Sequence, residues 1–265
     1  MQSKVCVIGL GTVGYPTAEY ISKHGFNVCG YDIRPINSEN FFTTTEWNKT
    51  PRDTKVYVIA VSSGLKGKKP DLTNLHDVCQ KISNTNPDAL VCMESTVPAG
   101  TCRKIAEKFG LPNFVHVPHR YWTGDPVNRG VKMLRVFGAL NSQSSAKGLD
   151  FYKKLEIPLY IVPEIEIAEM CKIAENAYTY VRIAFVEGLR MVCEDLGLDF
   201  NKVRDACNTK WNIDLLEARD GIWGYCLPKD IRYLLHQSNS DPLLTGAIRT
   251  DARYKKKFGP KKQTE

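Results

Sequence analysis

The sequence has no C-x-x-C pair, no apolar run of membrane-spanning length, no internal repeat and no low-complexity segment. Each absence removes a class of protein. Without a run of roughly 18 to 20 apolar residues there is no spanning helix, so no membrane partner is expected. Nine cysteines, an odd number lacking zinc-ribbon or redox spacing, argue against a disulfide framework and no bound metal is expected. They sit inside apolar runs such as "VCVIG", "LVCME" and "MVCED", as small reduced core residues do. The opening "MQSKVCVIGLG" enters a strand-like run at once, so no leader peptide is expected. A cytoplasmic protein is expected. No base-reading motif is present, so nucleic acid is not expected as a partner despite a net charge of +7. That charge is uneven: residues 249–265 carry seven Lys/Arg against two acidic residues, leaving +2 for the rest. These residues read as a solvated basic tail.

What is present is enough for one large core or two smaller ones: 265 residues, 43% of them hydrophobic. The first half alternates strand-like runs ("KVCVIGLG", "FNVCGYDI", "KVYVIAVSS", "ALVCMEST", "FVHVPH", "LRVFGAL") with helix-like stretches such as "TNLHDVCQKIS" and "GTCRKIAEKFG". That alternation predicts an α/β fold, a Rossmann-like doubly wound parallel sheet with helices on both faces. From Pro163 to Gly197 the period changes to that of one long helix, apolar over most of its circumference and therefore expected to be buried, against a second subunit. Shorter helices follow in "NKVRDACN", "DIRYLLHQ" and "DPLLTGAIRTDARYKK". The expected organisation is a nucleotide-binding domain over 1–162, an all-helical domain with a long central helix over 163–248, and the basic tail over 249–265.

"GLGTVG" places Gly9, Gly11 and Gly14 in a G-x-G-x-x-G pattern between a strand and a helix. The first glycine permits a tight turn, the second lets backbone approach a pyrophosphate, and the third brings helix and strand together. The helix N-terminus, with Thr12 and Val13 in the turn, would present its amides to the phosphates. Asp32 ends the next strand, where a carboxylate accepts hydrogen bonds from an adenosine ribose and repels a 2′-phosphate. NAD is therefore the expected cofactor, with Arg34 close enough to bear on the choice against NADP. Val61, Ser62 and Thr96, which follow later strand-like runs, complete the expected cofactor contacts.

Several motifs in order resemble those of the UDP-glucose/GDP-mannose dehydrogenase family. "GLGTVG" with "GYD" comes first, then "VSSGLKGKKPDL" where the family has V-P-T-P followed by G-x-P-D-L. "ESTVPAGT" is similar to S-T-V-P-x-G-T, "AEMCKIAENAY" to A-E-x-x-K-x-x-x-N, and "GIWGYCLPKD" to G-F-G-G-x-C-F-P-K-D. The resemblance implies oxidation of the C6 alcohol of a nucleotide sugar to a carboxylate with two NAD, through a thiohemiacetal and a thioester on a cysteine. Carried over by position, Cys226 is the nucleophile, with Lys172 and Asn176 stabilising the oxyanion and positioning. Asp230 would orient a water or assist proton transfer, Thr96 would hold a water, and Lys229 would contact substrate. The family's members imply a homodimer formed through the helix over 164–196.

The sequence departs from the family pattern in four places. The family's catalytic glutamate, in P-E-x-x-x-x-G, is replaced in "PHRYWTG" by His119, and two outcomes are open: the imidazole does the same base work near neutral pH, or the hydrolysis step is lost. Arg120 follows it and would bind an anionic group of the substrate. Trp223 and Tyr225 stand where the cysteine loop is usually small, and would narrow the pocket or stack on a sugar. The segment between Asp32 and "KVYVIAVSS" is short, and the third, nucleotide-sugar-binding domain of the family does not follow, so the chain reads as a short form. Two other readings stay open: a two-electron dehydrogenase of the 3-hydroxyacid type, and a catalytically silent NAD-binding partner protein.

Overall fold

The apolar runs become strands whose alternate residues feed two different cores. A computed structural model describes residues 4–238 and 241–260. The chain divides after Lys172 into two compact units.

In the first unit the elements run β1 (Lys4–Ile8), α1 (Gly14–Lys23), β2 (Asn27–Tyr31), β3 (Phe42–Thr44) and β4 (Val56–Ile59). A small hairpin of β5 (Gly64–Lys66) and β6 (Lys69–Asp71) precedes α2 (Thr73–Thr85), β7 (Leu90–Met93), α3 (Thr101–Phe109) and β8 (Phe114–His116). Then come β9 (Arg135–Ala139), α4 (Ser142–Lys154) and β10 (Leu159–Ile161). The main sheet has the order β10-β9-β8-β7-β4-β1-β2-β3. Cys6, Ile8, Tyr57, Ile59, Val91 and Met93 point to one face and pack with α2 and α3. Val5, Val7, Val58, Leu90 and Cys92 point to the other and pack with α1 and α4. Burial on both faces explains why these strands read as continuous apolar runs. From β1 the chain moves outward to β2 and β3 on one side and to β4 and β7 on the other. The strand order therefore reverses beside β1, where the carboxyl ends of the strands open a crevice for a ligand.

The sheet is not wholly parallel, as the sequence reading had it. β8 and β9 pair antiparallel, with Val115 opposite Ala139. The reason is the connection: residues 117–134 form no helix, and a parallel neighbour requires a crossover that a helix normally supplies. The short strand β3 and the β5–β6 hairpin were not foreseen either; each has three residues, too few for a period to show.

α5 runs over Ile165–Asp195, 31 residues, and the unit boundary falls within it. In the first unit Glu169, fully buried, accepts hydrogen bonds from the amides of Gly100 (2.6 Å) and Cys102 (2.7 Å) and so closes the N-terminus of α3.

The second unit holds the rest of α5 with α6 (Phe200–Cys207), α7 (Cys226–Gln237) and α8 (Pro242–Phe258). Its core has two clusters, one around Tyr180, Ala184, Ile231 and Leu244, the other around Val186, Met191, Phe200 and Tyr254. Within a single chain Tyr178, Phe185 and Val192 of the long helix are 65%, 61% and 53% exposed, and their spacing of seven puts them on one face. One expectation is corrected here. The basic stretch from Arg249 is not a tail as far as Phe258. It is the second half of α8, started by Asp241, whose carboxylate accepts from the Leu244 amide, and by Pro242 in the first turn. Lys261 and Lys262 lie outside the described residues. Among those residues no helix is long and apolar enough to cross a membrane, and no group of His, Cys, Asp or Glu is arranged to hold a metal ion.

Candidate functional site

At the carboxyl ends of β1 and β2 the glycine-rich turn is shaped by close backbone packing. A Cβ on Gly9, whose φ is +89°, would lie 2.7 Å from the Ala60 carbonyl oxygen, and one on Gly14 would overlap the Gly9 carbonyl oxygen. Both positions require glycine. Gly11 differs, because a Cβ there would meet nothing within 4 Å; its bare backbone borders open space where a pyrophosphate can approach. No side chain caps the N-terminus of α1, so its first-turn amides are left to bind an anion.

Asp32 Oδ2 accepts from the Leu10 amide (2.8 Å), while Oδ1 accepts from the Arg34 amide (2.9 Å) and Nε (3.3 Å). Burial pushes its carboxyl up, but the two amides and the Arg34 guanidinium outweigh it and hold it below the usual range. Asp32 is thus fixed as an anion beside a cavity of about 290 Å³ bordered by Leu10, Arg34, Ile36, Thr43 and Lys49. This arrangement suits an adenosine ribose. Asp32→Ala is expected to weaken NAD binding about 10- to 100-fold and NADP binding less, by fluorescence titration; equal losses would contradict the ribose role.

The other expected cofactor residues also gather at strand ends. Val61 and Ser62 follow β4, and the Ser62 carbonyl and hydroxyl both accept from the Asn74 side-chain amide at 3.2 Å. Thr96 follows β7, half-buried, its carbonyl accepting from the Ser63 hydroxyl at 2.5 Å.

Behind this edge lies a buried polar cluster that the sequence reading did not see. Glu94, at the end of β7, receives Arg135 Nη1 (2.9 Å) and the Tyr152 hydroxyl (2.7 Å) on Oε1, and His119 Nε2 on Oε2. Thr17 of α1 lies 3.2 Å from the same His119 nitrogen. Arg135 is fully buried, and its Nη2 donates to the Val131 carbonyl at 2.8 Å. Burial alone would push the Glu94 carboxyl up; Arg135 first, then His119 and Tyr152, overcome it and hold it down to about 2. His119 titrates below the usual range, chiefly because it is buried and then because Arg135 is near, with Glu94 opposing and Lys172 adding to the depression. It is therefore a neutral imidazole at neutral pH. Arg120, next to it, is half-buried and donates to the Leu134 carbonyl at 3.2 Å.

In the second unit Cys226 is the first residue of α7, not a loop residue as the sequence had suggested, and its side chain is exposed. Six of the nine cysteines are buried and all are free. Cys226 stands at an N-terminus that no side chain caps, where negative charge is favoured. Asp230 follows one turn later, buried, with Oδ2 accepting from Asn176 Nδ2 at 2.5 Å. Lys229 Nζ is 2.7 Å from Asp230 Oδ1, an ion pair between consecutive residues that lies out of line for a hydrogen bond. Its ammonium also sits 4.4 Å from the Tyr233 ring centre. Asn176, Lys229 and Asp230 are thus brought together a turn from Cys226.

The segment before Cys226 is held by α8. Asp251, buried, accepts from the Ile222 amide (2.9 Å), the Tyr180 hydroxyl (2.7 Å) and Lys255 Nζ (2.8 Å). Lys255 in turn donates to the Ile222 carbonyl at 2.6 Å and lies 4.3 Å from the Trp223 ring centre. Trp223 and Tyr225 remain more than half exposed; the bulky Trp223 is a platform for Lys255. Gly224, with φ of +83°, makes the reversal into α7 that a side chain would strain.

Beside Asp251 the fully buried Glu187 has neither oxygen hydrogen-bonded among the described residues. Burial first, and the Asp251 charge second, push its carboxyl up to about 8, against a smaller opposing effect of Lys255. Between the ordinary glutamate value of about 4.3 and about 8, the unfolded chain gives up a proton that the folded chain keeps. Stability therefore falls as pH rises through that window. Glu187→Gln is expected to flatten this slope, gaining about 1–3 kcal/mol on the parent between pH 5 and pH 8 after discounting for relaxation. Thermal denaturation at several pH values checks this, and parallel curves would refute it.

Two sequence models of one family match this chain: the UDP-glucose/GDP-mannose dehydrogenase family's NAD binding domain over residues 34–156 and its central domain over residues 166–252. The chain belongs to the UDP-glucose/GDP-mannose dehydrogenase family. The first match makes the Rossmann unit an NAD-binding domain of that family, and the glycine turn and Asp32, which precede the matched residues, fit the same cofactor by their geometry. Similar proteins include UDP-N-acetyl-D-mannosamine dehydrogenases of Methanococcus maripaludis (26% identical, covering 92% of this chain) and Escherichia coli (27%, covering 88%). This chain spans 64% and 65% of their lengths. Among solved structures, a UDP-D-ManNAc dehydrogenase from Pyrococcus horikoshii aligns with a TM-score of 0.86 at 25% identity, over 95% of this chain and 68% of that one. A 3-hydroxyisobutyrate dehydrogenase from Mycobacterium tuberculosis shares the fold, with a TM-score of 0.73 at 12% identity over 98% of this chain and 96% of that one.

Sequence reasoning missed Glu94, Arg135 and Tyr152 in the first unit and Tyr180, Glu187, Asp251 and Lys255 in the second. Glu94 was visible only as the residue before "STVPAGT". Asp251 and Lys255 at i and i+4 carried the signal of an ordinary helix pair.

Proposed function

We propose that this chain oxidises the primary alcohol of a nucleotide sugar to a carboxylate, with a UDP-linked amino sugar as the substrate class that the relatives' names suggest. The observation that carries the reading is Cys226, exposed at the uncapped N-terminus of α7, one turn before an Asp230 held by Asn176. Bound NAD supplies the hydride acceptor for each of the two oxidation steps. The alcohol carbon loses a hydride and its oxygen a proton, giving an aldehyde. The Cys226 thiolate then adds to that carbon and the oxygen takes up a proton, giving a thiohemiacetal. Loss of a second hydride and a proton gives the thioester. Water adds, the C–S bond breaks, and the acid leaves with Cys226 restored as a thiolate. Lys172 and Asn176 serve the oxygen on which charge develops. Asp230 and Thr96 orient the water, and His119 takes its proton in place of the family's glutamate. Arg120, Lys229, Trp223 and Tyr225 contact the substrate.

The test is incubation with NAD and a panel of UDP-, GDP- and dTDP-sugars, following NADH by absorbance and adducts on Cys226 by intact mass. Two NADH per acid support the reading. One NADH per substrate, with no adduct, would favour a two-electron oxidation of the 3-hydroxyacid type, which the near-complete overlap with the 3-hydroxyisobutyrate dehydrogenase fold keeps in view. NAD binding with no turnover on any sugar would leave a silent partner protein.

The same reading includes a homodimer. Tyr178, Phe185 and Val192 form an apolar stripe on α5 beside a cavity of about 630 Å³ that Gly188, Arg249 and Arg253 also border. A second copy of the helix would cover that stripe by seven-residue packing. Phe185→Asp is expected to shift sedimentation from dimer to monomer; a monomeric parent at all concentrations would end the proposal.

A further inference from the structure

We infer that Glu94 is a positioning residue that fixes His119 as the tautomer protonated on Nε2, leaving Nδ1 as the atom that accepts a proton. The inference deepens the function proposed above and rests on it for the identity of the proton. The argument turns on what lies around Nε2. Glu94 offers only acceptor oxygens there, because its carboxylate is held ionised by the Arg135 guanidinium and the Tyr152 hydroxyl. Thr17 offers a lone pair there, because its own hydroxyl proton is donated to the Val13 carbonyl at 2.9 Å. Two acceptors at one ring nitrogen require a proton on it. A neutral imidazole carries one N–H, so Nδ1 bears the free lone pair. Nδ1 is buried and has no hydrogen-bond partner among the described residues, in a side chain only 7% exposed. A buried polar atom without a partner is uncommon enough to call for a role.

The arrangement is a carboxylate–imidazole pair, in which an anion steadies one face of the ring while the other does the proton transfer. Glu94 directly follows β7, Thr17 lies in α1 and Arg135 in β9, so three segments of the sheet domain set the ring plane. The groups acting on His119 are Glu94, which favours its charged form, and Arg135 and Lys172, which disfavour it. In the hydrolytic step a water gives its proton to Nδ1 as its oxygen bonds to the thioester carbon. The resulting imidazolium is then stabilised by Glu94 and gives the proton up to solvent or to the departing thiolate.

The experiment uses the full chain, with ¹⁵N-labelled histidine, and the pH dependence of acid release from the thioester. The parent is expected to show His119 with a protonated Nε2 and an unprotonated Nδ1 at pH 7. Glu94→Gln is expected to blur that preference and lower hydrolysis about 10- to 100-fold. The acidic limb of its pH profile should move to lower pH, because the charge that favours the imidazolium is gone. Tyr152→Phe, a milder change should Glu94→Gln fold poorly, is expected to move the limb the opposite way, since Glu94 then loses a donor and becomes the stronger partner. A purely structural role would lower the plateau in both variants without moving either limb, and that result would overturn the inference. So would a parent carrying its proton on Nδ1. If the parent releases no acid from any sugar, the hydrolysis reading and the acceptor role fail together, while the tautomer assignment stands or falls on the labelled spectrum.

Discussion

Cys226→Ser is expected to reduce carboxylate formation by a factor of about 10³ or more, with NAD affinity unchanged. A serine hydroxyl is a weaker nucleophile toward the aldehyde than a thiolate, and the oxygen ester formed at the second oxidation would be hydrolysed more slowly than a thioester. NAD affinity is spared because the glycine turn, Asp32 and the cavity beside it, which suit the pyrophosphate and adenosine ribose, do not include Cys226. The measurement is NADH yield per sugar with intact mass of the protein in parallel. A variant that still delivers two NADH per sugar would show that Cys226 is incidental. A parent that gives only one, with no effect of the substitution, would move the chain to two-electron chemistry.

Asp251→Ala is expected to be the most damaging change to the second unit outside its apolar core. It strands three donors at once, the Ile222 amide, the Tyr180 hydroxyl and the Lys255 ammonium, and leaves the lysine without its carboxylate. Breaking a buried pair in this way costs about 3–5 kcal/mol. Because Ile222 precedes Cys226 by four residues, the loss should also loosen the approach to α7 and change the rate at which iodoacetamide labels the thiol. Asp251→Asn, which keeps an acceptor, should lose less. Urea denaturation checks the first effect and labelling kinetics the second. A loss below about 1 kcal/mol for alanine, with labelling unchanged, would mean that α8 does not hold this segment.

The strands β1, β2, β4, β7, β8 and β9 were legible because each is a short apolar run, and the first five end in polar or glycine-rich turns that hold candidate site residues. The antiparallel turn of β9 was not, because pairing direction depends on how the 117–134 connection travels in space rather than on the pattern within either strand. Cys226 was legible as the candidate nucleophile from its motif. Its place at the start of a helix was not, since Tyr225 gives no capping signal and Pro228 at the third position hides the first turn. His119 was legible as a departure from the family's glutamate, but the carboxylate that meets it sits 25 residues earlier. The second half of α8 looked like a tail because five of its basic residues crowd together, yet Asp251 and Tyr254 on the same helix are buried and anchor it.

By itself the sequence determined the sheet-then-helix order, the glycine turn with Asp32, the family, and the candidates Lys172, Asn176, Cys226 and Asp230, because periodicity, turn chemistry and motif spacing are local properties of the chain. Only the tertiary structure decided which carboxylates are partnered: Glu94 by Arg135, Tyr152 and His119, Asp251 by Tyr180, Ile222 and Lys255, and Glu187 by nothing among the described residues. Burial and long-range pairing set the charge and direction of those groups, and neither can be read from the residues beside them in the chain.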